Sequence, residues 1–329
     1  MSDKKKLFQV SVIIPMYNAQ TVVLEALKSV VKQNISVGEI IIIDNHSKDN
    51  SVQVAQKFRK ENKNIPIKII ARDKQYGLSA SYNLGAKLAK GTFIVTLSSD
   101  SFLPTENELR RLVEPCLKDP LVIASAPWIL HPEKIWQTYN FWQKYIFSRA
   151  VGTRVSSGNG KFDCMRKDVY VKVGGYDEKK FTGEEIVGGE DADLHIRLRK
   201  IGKIIVSNAE VIHLHYRGNN FSFSDVLKNK KLLARSYGRF LQLHASSLSI
   251  DKLIILLVKP FVAFSFFISF FYVPALIVLV AYSFFYSKKM FLSSSTLKNP
   301  KILILPFVNI ALLYYEVFWM IEAFFYKKK

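Results

Sequence analysis

Cysteine is nearly missing from this 329-residue chain: Cys116 and Cys164 are the only two. That excludes a disulfide framework and a paired CxxC metal motif, and it fits a reducing compartment. Acids are scarce as well, 27 Asp and Glu against 47 Lys and Arg, for a formal charge of +20. Nucleic acid is one partner for such charge, but no recognition motif with interleaved aromatics is present, so none is expected. A lipid bilayer surface accounts for the charge better, because the second half carries long apolar runs. A first strand, not a leader, is expected at the N-terminus. The lysines of MSDKKKLFQVSVIIPMY precede an apolar run that is too short for a signal core and stops at Pro15. We therefore expect the globular part on the cytoplasmic side.

Hydrophobic residues make up 49% of the chain, ample for a core. Five short apolar runs, 10-VSVII-14, 39-EIIII-43, 67-IKII-70, 92-TFIVTL-97 and 121-LVIAS-125, read as strands buried on both faces. Helical patterns lie between them, near 21–33, 49–61, 79–90 and 105–117. The alternation predicts an α/β fold, a mostly parallel sheet flanked by helices. In such sheets ligands bind at the carboxyl ends of the strands. Polar residues cluster there: 17-YN-18, 44-DNHSKDNS-51, 72-RDKQYG-77 and 98-SSDS-101.

Later segments are less regular. The stretch 134-KIWQTYNFWQKYIFSR-149 reads as one amphipathic packing helix, and a strand is expected to end near Cys164. In 188-GGEDADLHIRLRKIGK-203, Leu194, Leu198 and Ile201 share one helix face. That spacing turns Asp191 inward, although Glu190 or Asp191 could also cap the helix. Arg197 and Arg199 are readable either as phosphate contacts or as solvated helix residues.

From about residue 253 the composition changes. Residues 261–286 contain 26 positions without a charge, and 302–326 form a second apolar stretch with Glu316 near its middle. The expected division is 1–250 for the globular domain and 251–329 for a multi-pass membrane part. The latter would hold an interfacial helix over 252–260 and two transmembrane spans, about 261–286 and 302–326. Pro274 inside the first implies a kink or a hairpin.

In this order and at these distances, four stretches resemble the family 2 glycosyltransferases over about residues 8–220. They are 11-SVIIPMYNAQ-20, 41-IIIDNHSKDNS-51, 75-QYGLSASYNLGAKLAKG-91 leading into 92-TFIVTLSSDS-101, and 174-GGYDEKKF-181 followed by 189-GEDADLHIRLRKIG-202. The resemblance implies the nucleotide-sugar-binding GT-A fold, here followed by C-terminal transmembrane helices. It implies that Pro15, Tyr17 and Asn18 line the nucleotide, and that Asp44 hydrogen-bonds the base, with Asn45 near the ribose. Gly77, Ser98, Ser99 and Glu190 complete the implied substrate contacts. Asp100 matches the metal-binding acid, for Mg²⁺ or Mn²⁺, and Asp191 matches the catalytic base. His213 matches a histidine that completes the metal shell in some relatives, and it could equally be a strand histidine.

The chain departs from the family pattern at Ser98 and Ser101, where acids usually stand. Weaker metal affinity is the expected result. The implied reaction is inverting transfer from a nucleotide-diphosphate sugar to a hydroxyl of a polyprenyl-linked glycan, since a hydroxyl needs a base and a phosphate acceptor does not. Two alternatives stay open: a polyprenyl (dolichyl)-phosphate glycosyl synthase, and a non-catalytic membrane protein that binds nucleotide sugars.

Overall fold

A computed structural model describes residues 10–156, 160–180, 188–214, 220–268 and 272–326. Among these, the strands are β1 (Val10–Met16), β2 (Val37–Asp44), β3 (Ile67–Ala71), β4 (Phe93–Thr96), β5 (Ser101–Phe102), β6 (Val122–Leu130), β7 (Arg154–Ser156), β8 (Cys164–Arg166) and β9 (Lys203–His213). They form one sheet in the order β3-β2-β1-β4-β8-β6-β9-β5, with β7 paired to β6. The neighbours from β3 through β4 are parallel, as is β6 with β9. The pairs β4–β8, β6–β8, β6–β7 and β5–β9 are antiparallel. The sheet is therefore parallel where the sequence alternates strand and helix, and mixed beyond. The expected strand near Cys164 begins there rather than ending there.

The uniform apolarity of the first strands follows from this topology, because successive side chains point to opposite faces and both faces are covered. Val10, Val12 and Ile14 pack with Leu27, Ala55 and Phe58 on one face. Ile13, Ile41 and Ile43 pack with Tyr82, Ala86 and Leu194 on the other. Each such burial stabilises by roughly 1.5–3 kcal/mol.

β1 runs two residues past the predicted end and includes Pro15. Alternate residues of a strand turn their polar groups to alternate neighbours. The Ile13 carbonyl accepts from Leu97 N–H on the β4 side, and the Met16 carbonyl accepts from Asn45 N–H on the β2 side. The missing N–H of Pro15 therefore faces the β4 side. Pairing with β4 has ended there, at Ile13–Thr96, so no ladder bond is lost.

The chain divides into two compact units. The first comprises Met1–His131, Arg154–Lys180 and Glu190–Tyr216, and holds the sheet. The second comprises Pro132–Thr153, Phe181–Gly189 and Arg217–Lys329, and its described residues are helical. In the second unit the expected amphipathic helix over 134–149 is two helices, Glu133–Gln137 and Phe141–Phe147. Asn140 separates them. It accepts from Gln143 N–H and donates its own N–H to Gln143 Oε1, a capping box that starts a new helix.

Two membrane-segment expectations need correction. The helix expected over 252–260 runs through Pro260, spanning Ile250–Ser265. The stretch 261–286, expected as one span or as a hairpin at Pro274, is divided between the end of that helix and a second one, Tyr272–Phe285. Pro274 is the third residue of the described part of the second helix. Among the described residues, Pro300–Phe325 is the one segment long and apolar enough to cross a bilayer. Its helix, Leu305–Phe325, lies against Phe223–His244, and the fit depends on Gly238. A Cβ there would stand 2.0 Å from the Met320 carbonyl oxygen.

Candidate active site

The loops after β1, β2 and β3 are tied into one rim by side-chain hydrogen bonds. Asn18, at φ 47°, donates its N–H to Ser47 Oγ, and its Oδ1 accepts from Lys48 N–H at 2.8 Å. Asp44, buried at the end of β2, accepts from the Ser47 N–H and hydroxyl. Asn45 Oδ1 accepts from Tyr76 N–H at 2.8 Å. Gly77, at φ 91°, starts the Leu78–Leu88 helix, a backbone conformation that favours glycine. Tyr17 is exposed on this rim. Arg72 stacks 3.7 Å above the Tyr76 ring, and His46 Nδ1 lies 3.3 Å from the Arg72 carbonyl. The rim is thus fixed before any ligand arrives.

Asp100 follows β4 and Ser99. The Ser98 hydroxyl donates to its Oδ1, and His213 Nε2 lies 3.0 Å from its Oδ2. Antiparallel pairing of β5 with β9 sets Ser101 opposite His213 and makes that contact. Burial opposes ionisation of Asp100. The His213 charge and hydrogen bond, with Lys161 and Ser98, outweigh it and hold the carboxyl well below the usual range. His131 stands at the end of β6 with its ring 5.9 Å from that of His213. Burial and the His213 charge lower its pKa to about 4, so it is neutral at pH 7.

Asp191 lies in the first turn of the Glu190–Arg199 helix beside buried Glu190. Burial raises its pKa well above the usual range, and the Glu190 and Asp163 charges add to it. Lys161 and a hydrogen bond from Tyr176 act the other way. Its Oδ1 is buried and has no hydrogen-bond partner among the described residues. That oxygen faces Gly160, where a Cβ would come within 2.9 Å of it. Tyr82 donates to the Gly160 carbonyl at 2.6 Å and stacks on Tyr176 with ring centres 5.2 Å apart. Burial, then the Asp191 charge, pushes both phenols well above their usual range, so they stay neutral donors.

Lys161 links the two acids. Its carbonyl accepts from Ser98 N–H, and its charge acts on both Asp100 and Asp191. The sequence reading did not single out Lys161, Asp163, His131 or Tyr82. Asp163 is buried and accepts from Gly160 N–H at 2.8 Å, closing the turn that presents Gly160 to Asp191. The glycine loop 157-SGNGK-161 was its only sequence signal, and residues 157–159 lie outside the described ones. Arg197 is committed elsewhere. It binds Asp193 Oδ2 through two nitrogens and donates to the Val173 and Gly175 carbonyls. Arg199 is exposed.

The site can hold a divalent cation only with outside help. Among the described residues no group of three or more His, Cys, Asp or Glu side chains is placed to do so. The Asp100–His213 separation of 3.0 Å matches the edge between two neighbouring ligands of an octahedral ion, about 3.0 Å for bonds near 2.1 Å. One carboxylate and one imidazole therefore fit two positions of such an ion, with the remaining positions left for phosphate oxygens and water.

The mixed α/β sheet flanked by helices, with polar loops at the carboxyl ends of its parallel strands, is consistent with the GT-A class of nucleotide-sugar-binding folds. Residues 11–172 match glycosyl transferase family 2, and that region of the chain belongs to the family. The chain is similar to an uncharacterized glycosyltransferase of Haemophilus influenzae, 28% identical over 178 residues, 50% of this chain and 55% of the relative. It is also similar to the undecaprenyl-phosphate 4-deoxy-4-formamido-L-arabinose transferase of Edwardsiella ictaluri, 32% identical over 117 residues, 35% of each chain. The chain spans about a third to about half of the length of such relatives. In fold it is similar to the mannosyltransferase PcManGT of Pyrobaculum calidifontis, solved in complex with GDP-Man and Mn²⁺. The TM-score is 0.59 at 14% identity, over 97% of this chain and 88% of that one.

Proposed function

We propose that this chain transfers a sugar, with inversion, from a nucleoside-diphosphate sugar to a hydroxyl of a lipid-linked glycan at a membrane. The observation that carries this reading is the Asp191 carboxyl, whose buried Oδ1 has no partner among the described residues. A raised pKa makes it a stronger base than an exposed carboxylate. Asp191 takes the acceptor hydroxyl proton as that oxygen bonds to the anomeric carbon. The bond from that carbon to the diphosphate oxygen breaks on the opposite side. Tyr176 and Lys161 orient and steady the carboxylate through the transfer.

Asp100 and His213 would hold Mg²⁺ or Mn²⁺, with Ser98 orienting Asp100. A bound cation supplies charge stabilisation for the leaving diphosphate. The rim of Pro15, Tyr17, Asn18, Asp44 and Asn45 would take the nucleoside, and Gly77, Ser98, Ser99 and Glu190 the remaining donor and substrate contacts. Residues 1–250 would form the catalytic domain, on the cytoplasmic side, and 251–329 its membrane part. The apolar Pro300–Phe325 segment supports the membrane location.

The Edwardsiella relative, whose name includes undecaprenyl phosphate, favours a second reading in which the acceptor is the lipid phosphate itself. Product analysis separates them. Reaction of the full chain with a nucleotide sugar and a lipid-diphosphate-linked sugar should lengthen the glycan. Sugar attached directly to a polyprenyl phosphate would establish the second reading.

A further inference from the structure

Five segments of the second unit meet around one tyrosine. Glu316, midway along Leu305–Phe325, is 8% exposed. Lys230, from Phe223–His244, stands 2.9 Å from Glu316 Oε1 and also donates to the Tyr286 hydroxyl. Lys259, from Ile250–Ser265, pairs with Glu316 Oε2. The Tyr286 hydroxyl lies 3.4 Å from Glu316 Oε1. The Arg149 guanidinium is 4.9 Å from the centre of the Tyr286 ring, and the Lys230 and Lys259 ammonium groups are 4.7 and 5.6 Å from it. Tyr282 stacks beside Tyr286 with ring centres 5.1 Å apart, and its buried hydroxyl has no partner among the described residues.

Three cations thus surround Tyr286, two of them paired with its one neighbouring carboxylate, an excess of two positive charges (3 − 1). One counter-cation would be enough for Glu316. Arg149 is exposed and Lys259 partly so, which leaves their charge open to an incoming anion. The unsatisfied Tyr282 hydroxyl needs an acceptor as well. A phosphate oxygen supplies both. The flanking residues indicate what the phosphate is attached to. Ile255, Val258 and Phe261, around Lys259, and Phe284 and Phe285, next to Tyr286, are all exposed. They offer an apolar tail a surface beside the charge.

We propose that Arg149, Lys230, Lys259 and the Tyr282 hydroxyl form a site for the phosphate head group of a lipid, with Glu316 holding the two lysines in place. The site rests on the membrane reading above and not on the chemistry of Asp191. Its shared chemistry is a phosphate ester on an apolar tail, supplied either by an isoprenoid phosphate or by bulk phospholipid.

The test uses the full chain in phosphatidylcholine nanodiscs, with farnesyl phosphate, farnesol and inorganic pyrophosphate as probes. Arg149→Gln and Tyr282→Phe are compared with wild type, and Mn²⁺-dependent nucleotide binding in the first unit reports that each variant is folded. Farnesyl phosphate should bind saturably, and each variant should weaken it about tenfold, the effect of one charge-assisted hydrogen bond. Discs doped with phosphatidylglycerol identify the source: competition with farnesyl phosphate assigns the site to bulk lipid, and none assigns it to the isoprenoid. Equal affinity in the folded variants overturns the proposal. So does farnesol or pyrophosphate binding as tightly as farnesyl phosphate. A chain that does not enter nanodiscs contradicts the membrane reading itself, and this site falls with it, whereas loss of sugar transfer alone touches neither.

Discussion

Asp100 Oδ2 and His213 Nε2 stand 3.0 Å apart although 113 residues separate them in the chain. A two-residue strand, β5, brings them together by pairing with the end of β9. One acid and one histidine thereby occupy a place where two acids are usual in the family. A donor set that small should bind a divalent ion weakly and depend on the nucleotide's phosphates to complete it.

Metal dependence follows directly. Chelation should abolish transfer, and Mn²⁺ should restore it. Asp100→Ala should remove activity at any metal concentration. His213→Ala should raise the Mn²⁺ concentration for half-maximal activity by about tenfold or more, in line with the loss of one ligand-sphere group. Titration of activity against Mn²⁺ checks this. An unchanged half-saturation point would remove His213 from the metal shell.

Gly160 is the next probe. Its φ of 70° favours glycine, and a Cβ would press on Asp191 Oδ1 at 2.9 Å. Gly160→Ala should cost about 1–3 kcal/mol in stability from backbone strain. It should lower turnover more than donor affinity, because the displaced group is the base and not the nucleotide rim. Parallel thermal melts, donor binding and initial rates measure the three effects.

Acid stability turns on His195. It is buried, and Asp163 Oδ2 at 3.9 Å is too distant for a hydrogen bond. Burial, with the Arg199 charge, lowers its pKa from 6.5 to about 4. Between these values the unfolded chain binds a proton that the folded chain does not. The His195 contribution is therefore fully present above pH 6.5 and is lost as pH falls through that window, by an amount on the order of 3 kcal/mol. Urea denaturation at pH 7 and pH 4.5 should show the decline, and His195→Gln should make it shallower, with His131, also lowered to about 4, supplying the rest.

Gly238 tests the packing of the second unit. With the Met320 carbonyl 2.0 Å from any added Cβ, Gly238→Val must push the Phe223–His244 and Leu305–Phe325 helices apart. A loss of about 1–3 kcal/mol is expected. Limited proteolysis in detergent should reveal earlier cleavage in this unit. Cleavage at the wild-type rate would mean that the helices do not pack this closely.

These features differ in how far the sequence announces them. The parallel strands were legible because burial on both faces forces runs such as 40-IIII-43 to be apolar at every position. Asp100 and Asp191 stood out as candidates because each sits in an ordered, extended motif. Asp163 and Lys161 were not, because an isolated acid and lysine in a loop carry no periodicity. Their role comes from the turn at Gly160, which only three-dimensional structure shows. β5 is too short to give a pattern at all. For 261–286 the hairpin option was legible at Pro274, but the place where the first helix ends was not: hydropathy reports composition, and Phe264 and Phe267 look alike on either side of that end.

The central claim is that Asp191 is the base of a metal-dependent sugar transfer. The most direct measurement is turnover of a panel of nucleotide sugars by the full chain in lipid, wild type against Asp191→Asn, with donor binding measured on the same samples. The account predicts that one donor reacts, that Asp191→Asn lowers turnover by at least about a hundredfold, and that it leaves donor affinity near wild type. Turnover in Asp191→Asn within a few-fold of wild type, or a donor that binds and never reacts in the wild-type chain, would contradict it.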